Sequence, residues 1–490
     1  MLLTMAVSLY TSRVVLATLG VEDYGIYNVV GGIVAMFGFL NSSMAGATQR
    51  FLTFELGKGN LDRLKKVFST SIHIHFIIAL IVVLLAETIG LWFLYNKMII
   101  PVERMDAAFW VFQFSVLSAV VLFISIPYNA VIIAHERMSA FAYISIIDVV
   151  LKLLIVYLLS LTSYDRLIFY AFLLLIVQVL IRITYGIYCK RHFIETAYRF
   201  VWDKMLFKEM ANFATWQLFG NLAAVSYTQG VNILLNMFFG PAVNAARAIA
   251  VQVQSAIQQF TANFQQALNP QITKNYAIND LKRMHTLIFA SARYSFFLLF
   301  FLSLPVLLET EIILSLWLKE VPEHTVNFIR IILVISMIDV MSNPLITAAG
   351  ATGRIKVYQI TVGGVLLLIL PFSYGVLKMG GIPEFVFLVH LFFVCVAQVV
   401  RLGLIRSMIS LSLRKFFKEV VVRAFMVTCL SSIIPLLSFL LLEQTLSTFF
   451  LVCVLSVLSV SITVFFVGLL PNERQLVLLK INQWIKIKKS

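Results

Sequence analysis

Charge is scarce in this 490-residue chain: Asp, Glu, Lys and Arg make up 12% of it, against about 25% in soluble domains. Cysteine is equally sparse. The four present, Cys189, Cys395, Cys429 and Cys453, lie far apart in or beside apolar runs, with no CxxC and no Cys/His pairing. That excludes a disulfide framework and gives no cysteine metal site. No Walker sequence occurs, and no stretch between apolar runs is long enough to fold as a soluble domain. What the chain does have is 61% apolar residues and a mean hydropathy of +0.95. Together these exclude a cytosolic enzyme, a nucleic-acid binder and a secreted scaffold, and leave a polytopic membrane protein.

Apolar runs fall at 2–20, 26–48, 69–94, 107–133, 141–161, 166–188, 209–238, 242–268, 286–308, 325–349, 356–377, 384–409, 420–441 and 446–469. Each is long enough to cross a bilayer, which takes about 20 helical residues. They are numbered here as spans 1 to 14. The first begins at Met1 with no polar lead-in, so a short preceding tail is expected; the run is too long and too polar for a cleavable signal. With the N-terminus inside, 27 Lys and Arg fall in inner loops and termini and five in outer loops: Lys97, Arg104, Arg166, Lys319 and Lys378. A wrong span count would scramble that split, so both termini are expected in the cytoplasm. The net charge of +15 is therefore a topology signal and requires no nucleic acid. The basic tail Trp484–Lys489 also suits anionic lipid headgroups.

A shift of 220 residues lays Gly20 on Gly240, and Gly59–Leu64 on Asn279–Met284, with Arg63 on Arg283. A shift of 217 lays Pro127 on Pro344 and Arg137 on Arg354. Six spans per unit is an even number, so both units start on the same side and the repeats are parallel. The expected fold is an all-α integral membrane protein of about fourteen helices. Two six-helix lobes, residues 1–200 and 201–412, are followed by spans 13 and 14 and a basic tail in 413–490.

Charges inside spans are costly and must face protein, water or an interface. Arg182 and Arg401 lie within about two turns of the inner ends and are expected to snorkel. Glu87, near the outer end of span 3, is expected to reach water. Asp148 and Lys152 stand at i and i+4 on span 5, the spacing of a helical ion pair; a structural pair and an ion-coupled one both fit. Asp339, near the middle of span 10, suits coupling to a proton or cation, or a basic partner elsewhere in the fold. Arg330, on the same span, is too far along it to pair with Asp339. Arg13 on span 1 and Arg247 on span 8 have no acid three or four residues away. One stands in each lobe, and paired guanidinium groups suit the forked, charge-assisted hydrogen bonds of a phosphate; interhelical pairing, or snorkelling for Arg247, fits as well.

Span 8 is rich in amides. Arg247, Gln254, Gln258, Thr261 and Gln265 share one helical stripe, with Gln252, Gln259, Asn263 and Gln266 beside it. Span 7 adds Gln217, Asn221, Gln229, Asn232 and Asn236, and span 2 adds Asn28, Asn41, Ser42 and Ser43. Interhelical glue needs only one or two such groups per span. The excess points to a water-filled cavity, and amides and hydroxyls suit a hydroxyl-rich ligand such as a sugar.

The run Leu19-Gly20-Val21-Glu22-Asp23-Tyr24-Gly25-Ile26-Tyr27-Asn28 resembles the opening of polysaccharide-export flippases. Gln49-Arg50-Phe51 through Gly57-Lys58-Gly59-Asn60, and Pro127-Tyr128-Asn129 late in span 4, carry the same resemblance. The family is the oligosaccharide-lipid flippase branch of the multidrug/oligosaccharidyl-lipid/polysaccharide (MOP) superfamily, which also holds the MATE exporters and the lipid II flippase. The resemblance implies a non-enzymatic, multi-pass protein of the bacterial inner membrane, working by alternating access. It would move an undecaprenyl-diphosphate-linked oligosaccharide outward for surface polysaccharide synthesis, among membrane lipids and beside a polymerase. On that reading Arg13 and Arg247 hold the diphosphate, and Asn28, Gln229, Asn232, Gln254, Gln258 and Gln265 line the sugar cavity. Asp339, or Asp148 with Lys152, would couple transport to an H⁺ or Na⁺ gradient; no cofactor or metal is expected. A MATE-like cation/drug antiporter and a lipid II flippase remain alternatives, and a membrane-embedded sugar polymerase or ligase a weaker one.

Overall fold

A computed structural model gives the backbone at residues 2–35, 38–98, 100–162, 164–198, 200, 202–318 and 320–487. Side chains 2–6, 8–10, 12, 13, 16, 21, 29, 32, 33, 35, 38, 39, 160 and 480–487 lie outside the described set. The described residues form helices and connecting turns, with no strand. Eleven helices are long and apolar enough to cross a membrane, and they coincide with spans 3–7 and 9–14. Span 8 is the long helix Pro241–Ala277, whose amides keep it below that apolarity. Spans 1 and 2 run through Leu2–Ala35 and Gly38–Lys58. The all-helical, fourteen-span reading of the sequence holds.

The repeat is visible in the backbone. Gly20 breaks Leu2–Ala35 at φ 82°, ψ 168°. Gly240, its counterpart, separates spans 7 and 8 at φ 80°, ψ −172°. Both lie in a region open essentially to glycine alone. Gly59 and Asn279 correspond in the same way, with φ of 70° and 61°. Each precedes a cap: Asn60 accepts from the Arg63 amide at 3.0 Å, and Asp280 from the Arg283 amide at 3.0 Å. A side-chain oxygen at that position satisfies one of the free amides of a helix's first turn. The aligned Arg63 and Arg283 thus mark the same turn of two equivalent helices.

The chain divides into two compact units, Met1–Asn221 and Leu222–Ser490, with the division inside the span 7 helix Lys204–Phe239. In the first unit, span 4 (Met105–Ala134) is central and packs against spans 1, 2, 3 and 6. Phe112, Val111 and Ala108 on it are wholly buried with Val30, Ala86, Leu94 and Leu167. Gly90 lies so close to Phe112 that a Cβ would sit 2.7 Å from the ring. In the second unit, span 8 packs against spans 9 and 10, and span 10 against span 12. Spans 13 and 14 (Val422–Leu441 and Leu446–Thr463) pair with each other and lean on span 9. Arg293 is 1% exposed inside the span 9 helix. It reaches Glu473 at 2.5 Å and the Glu419 carbonyl at 3.3 Å, tying span 9 to the ends of the appended helices.

Candidate functional site

Proline at the first position of Pro241–Ala277 starts span 8 just beyond the Gly240 break. Arg247 follows within two turns and faces back onto span 7. Its Nη2 donates to the Thr228 carbonyl at 3.0 Å and its Nη1 donates to Asn232 Oδ1. Asn232 in turn donates to Gln229 Oε1 at 3.0 Å. Arg247 Nε is buried without a partner among the described residues. No ion pair to Arg247 occurs among the described residues. The fold therefore brings together three of the residues singled out in the sequence, as a cation held by neutral oxygens. Charge in that setting is uncompensated, which is the arrangement an anion would complete.

Further along span 8, Gln254 donates to Ser336 Oγ on span 10 at 2.8 Å. Gln265 is 3% exposed; it donates to the Val340 carbonyl at 2.9 Å and accepts from Asn343 at 2.8 Å. It joins span 8 to span 10. Gln258 is half-buried and makes no side-chain hydrogen bond among the described residues.

Arg401 departs from expectation. It does not snorkel: it is 4% exposed on the span 12 helix Glu384–Ile409. Its Nε donates to the Tyr358 hydroxyl at 2.8 Å, and its Nη1 to Gln398 Oε1 at 2.8 Å and to Ser342 Oγ. Ser342 also donates to Gln398, at 2.6 Å. Asp339 stands one turn before Ser342 and interacts electrostatically with Arg401 and Tyr227, though no ion pair within 4.0 Å is made among the described residues. Its side chain is exposed. The polar centre around Arg401 was missed because its members are scattered over spans 10, 11 and 12, each ordinary in its own helix.

In the first unit, the side chain of Arg13 lies outside the described residues. Asn28 is exposed and donates to the Tyr24 carbonyl one turn back, at 2.8 Å. Lys152 and Asp148 form the expected pair at 2.7 Å, with Lys152 46% exposed. Arg182 lies over the Tyr128 ring, 3.9 Å from its centre, a cation–π contact that the helical pattern of span 6 did not suggest. Glu87 accepts from Gln113 at 3.2 Å. A further assembly escaped sequence reasoning altogether. Arg104 bridges Asp23 and Asp165 at 2.5 Å each, joining the span 3–4 loop to the ends of spans 1 and 6. Burial pushes the Asp165 carboxyl up, but the Arg104 guanidinium and the amides of Ile168 and Leu167 outweigh it and hold it below the ordinary carboxylate value. Among the described residues, no three His, Cys, Asp or Glu are grouped to hold a metal.

Residues 1–158 match the MatE family model. No curated protein sequence matches the chain. Solved structures share the fold. A point mutant of a MATE protein superposes with a TM-score of 0.71 at 13% identity, covering 83% of this chain and 93% of its own. An outward-facing multidrug resistance MATE transporter of the MOP superfamily gives 0.69 at 14% identity, with the same coverage. A MOP-superfamily transporter from Pyrococcus furiosus, described as having a binding pocket of reversed polarity, gives 0.67 at 14% identity and that coverage again. The chain is a multi-pass membrane protein with the fold of the MATE transporters.

Proposed function

We propose that this protein is a MOP-superfamily transporter whose substrate carries a diphosphate, an undecaprenyl-linked oligosaccharide moved from the inner to the outer leaflet of a bacterial inner membrane. The observation that carries this reading is Arg247, a membrane-embedded guanidinium held by Asn232 and the Thr228 carbonyl, with no carboxylate paired to it among the described residues. A cavity for cationic drugs calls for acids at such a place; a phosphate calls for a forked, permanent cation. Gln229 and Asn232 extend the same patch with groups that suit sugar hydroxyls. Arg13 is the proposed second phosphate ligand. Gln254 and Gln258 on span 8, and Asn28 on span 2, are proposed to add further contacts. Asp339, or the Asp148–Lys152 pair, is the proposed coupling element for H⁺ or Na⁺.

The shared fold also suits a second reading, export of a cationic compound, since one structure of that fold is described as a multidrug resistance transporter. Reconstitution separates the two. Purified protein in liposomes, given an undecaprenyl-diphosphate-linked saccharide on one leaflet, should expose it on the other, and Arg247→Gln should slow this. Efflux of a cationic dye without lipid movement would transfer the assignment to the drug exporter.

A further inference from the structure

The first unit contains an open-sided cavity of 440 Å³, lined by spans 2, 4, 5 and 6 of that unit. Its volume lies in the range of small-molecule sites, about 300–1,000 Å³. Three of its walls carry polar side chains with nothing to bind. Ser115 and Ser118 on span 4 and Gln178 on span 6 line it and make no hydrogen bond among the described residues. Asn41, also in the lining, has a buried Oδ1 without a partner among the described residues. Other serines of the same unit behave differently: Ser125 donates to the Val121 carbonyl at 2.6 Å and Ser145 to the Phe141 carbonyl at 2.9 Å. In a membrane, where no solvent satisfies a stranded polar group, such groups persist around water or a ligand.

The charge at the rim has a definite polarity. Lys152 is part of the lining and Asp148, its partner 2.7 Å away, is not. The lining therefore includes the basic member of the pair and not the acidic one. The other polar residues of the lining are hydroxyls and amides, and no acid is among them.

We propose that this cavity is a binding site, inside the first unit, for an anionic and hydroxyl-bearing group: an acidic or phosphorylated sugar. The ammonium meets the acid group, Ser115, Ser118, Asn41 and Gln178 bond the hydroxyls, and Tyr27 and Phe123 give flat apolar walls. The inference stands on the cavity alone and does not need the diphosphate reading of Arg247.

The test uses the full-length protein in nanodiscs, with its four cysteines replaced by alanine and Ser118→Cys added. Labelling rates are measured with an anionic and a cationic methanethiosulfonate (the ethylsulfonate and the ethyltrimethylammonium), each normalised to its rate with a free thiol. The anionic reagent should be favoured by roughly three- to tenfold, the effect of one partly compensated charge at short range. Lys152→Gln should abolish or invert that preference. Millimolar glucuronate or glucose 6-phosphate should slow labelling more than glucose does. A cavity thiol that neither reagent reaches overturns the proposal, as does labelling without a charge preference, or a preference that survives Lys152→Gln. Should Ser118→Cys fail to fold, Ser115→Cys reads the same wall.

Discussion

The paired glycines allow the repeat to be weighed in energy. Gly20 and Gly240 occupy φ near 80° with ψ near 180°, where a side chain costs about 1–3 kcal/mol. A Cβ added at either would meet no atom within 4 Å. The penalty of Gly240→Ala is therefore backbone strain alone, with no packing gain or clash to mask it. Gly403 is the control: it lies inside the helix Glu384–Ile409, and a Cβ there also meets nothing within 4 Å. In that position alanine should stabilise by about 0.5–1 kcal/mol, because glycine is the poorer helix former. The two substitutions remove the same hydrogen and should differ by about 1.5–4 kcal/mol in opposite directions. Chemical unfolding in one detergent, with Gly20→Ala measured alongside, reads this directly. Equal effects for Gly240→Ala and Gly403→Ala would refute the claim that these breaks are built into the backbone.

Arg401→Ala should cost about 3–5 kcal/mol, since it strands the Tyr358 hydroxyl and weakens the Ser342–Gln398 contact in a buried setting; Arg401→Lys should recover only part of this, lacking the fork. A loss below about 1 kcal/mol in the same unfolding assay would mean the side chain reaches the interface after all. Export should fall roughly tenfold to a hundredfold in Arg247→Gln, the range for losing a charge-assisted hydrogen bond, and Arg247→Lys should fall between it and the parent. Unchanged export in Arg247→Gln would remove this residue from the substrate path. The Arg104 clamp makes a pH prediction. Asp165 is held below its ordinary 3.8, so its stabilisation is complete above that value and disappears as pH falls through the lower native one. The thermal midpoints of the parent and Arg104→Gln should differ at about pH 6 and converge in acid; a gap constant across that range would contradict the assignment.

Helix number and order were legible because a spanning helix announces itself over about twenty residues. The repeat was legible at Gly20 and Gly240 because a glycine-only conformation leaves one residue type in both copies. The span 8 amides were equally plain as a composition. What each amide faces was not: Gln254 and Gln265 share a stripe with Arg247, yet they bond Ser336 and the Val340 carbonyl across to span 10. Helical spacing says which residues share a face and nothing of what packs on that face. The same gap hid Arg401, whose distance from the helix end suggested snorkelling while Tyr358 and Gln398 hold it inside. Ser115, Ser118 and Gln178 carried no signal at all, since a serine that bonds its own helix and one that lines a cavity read identically in sequence.

The central claim is tested most directly in a strain lacking this protein, by measuring the pool of lipid-linked saccharide in each leaflet of the inner membrane. The account predicts undecaprenyl-diphosphate oligosaccharide trapped on the inner leaflet, released when the parent gene is restored and not by Arg247→Gln. Units that reach the outer leaflet unpolymerised, or a pool that does not change, would contradict it.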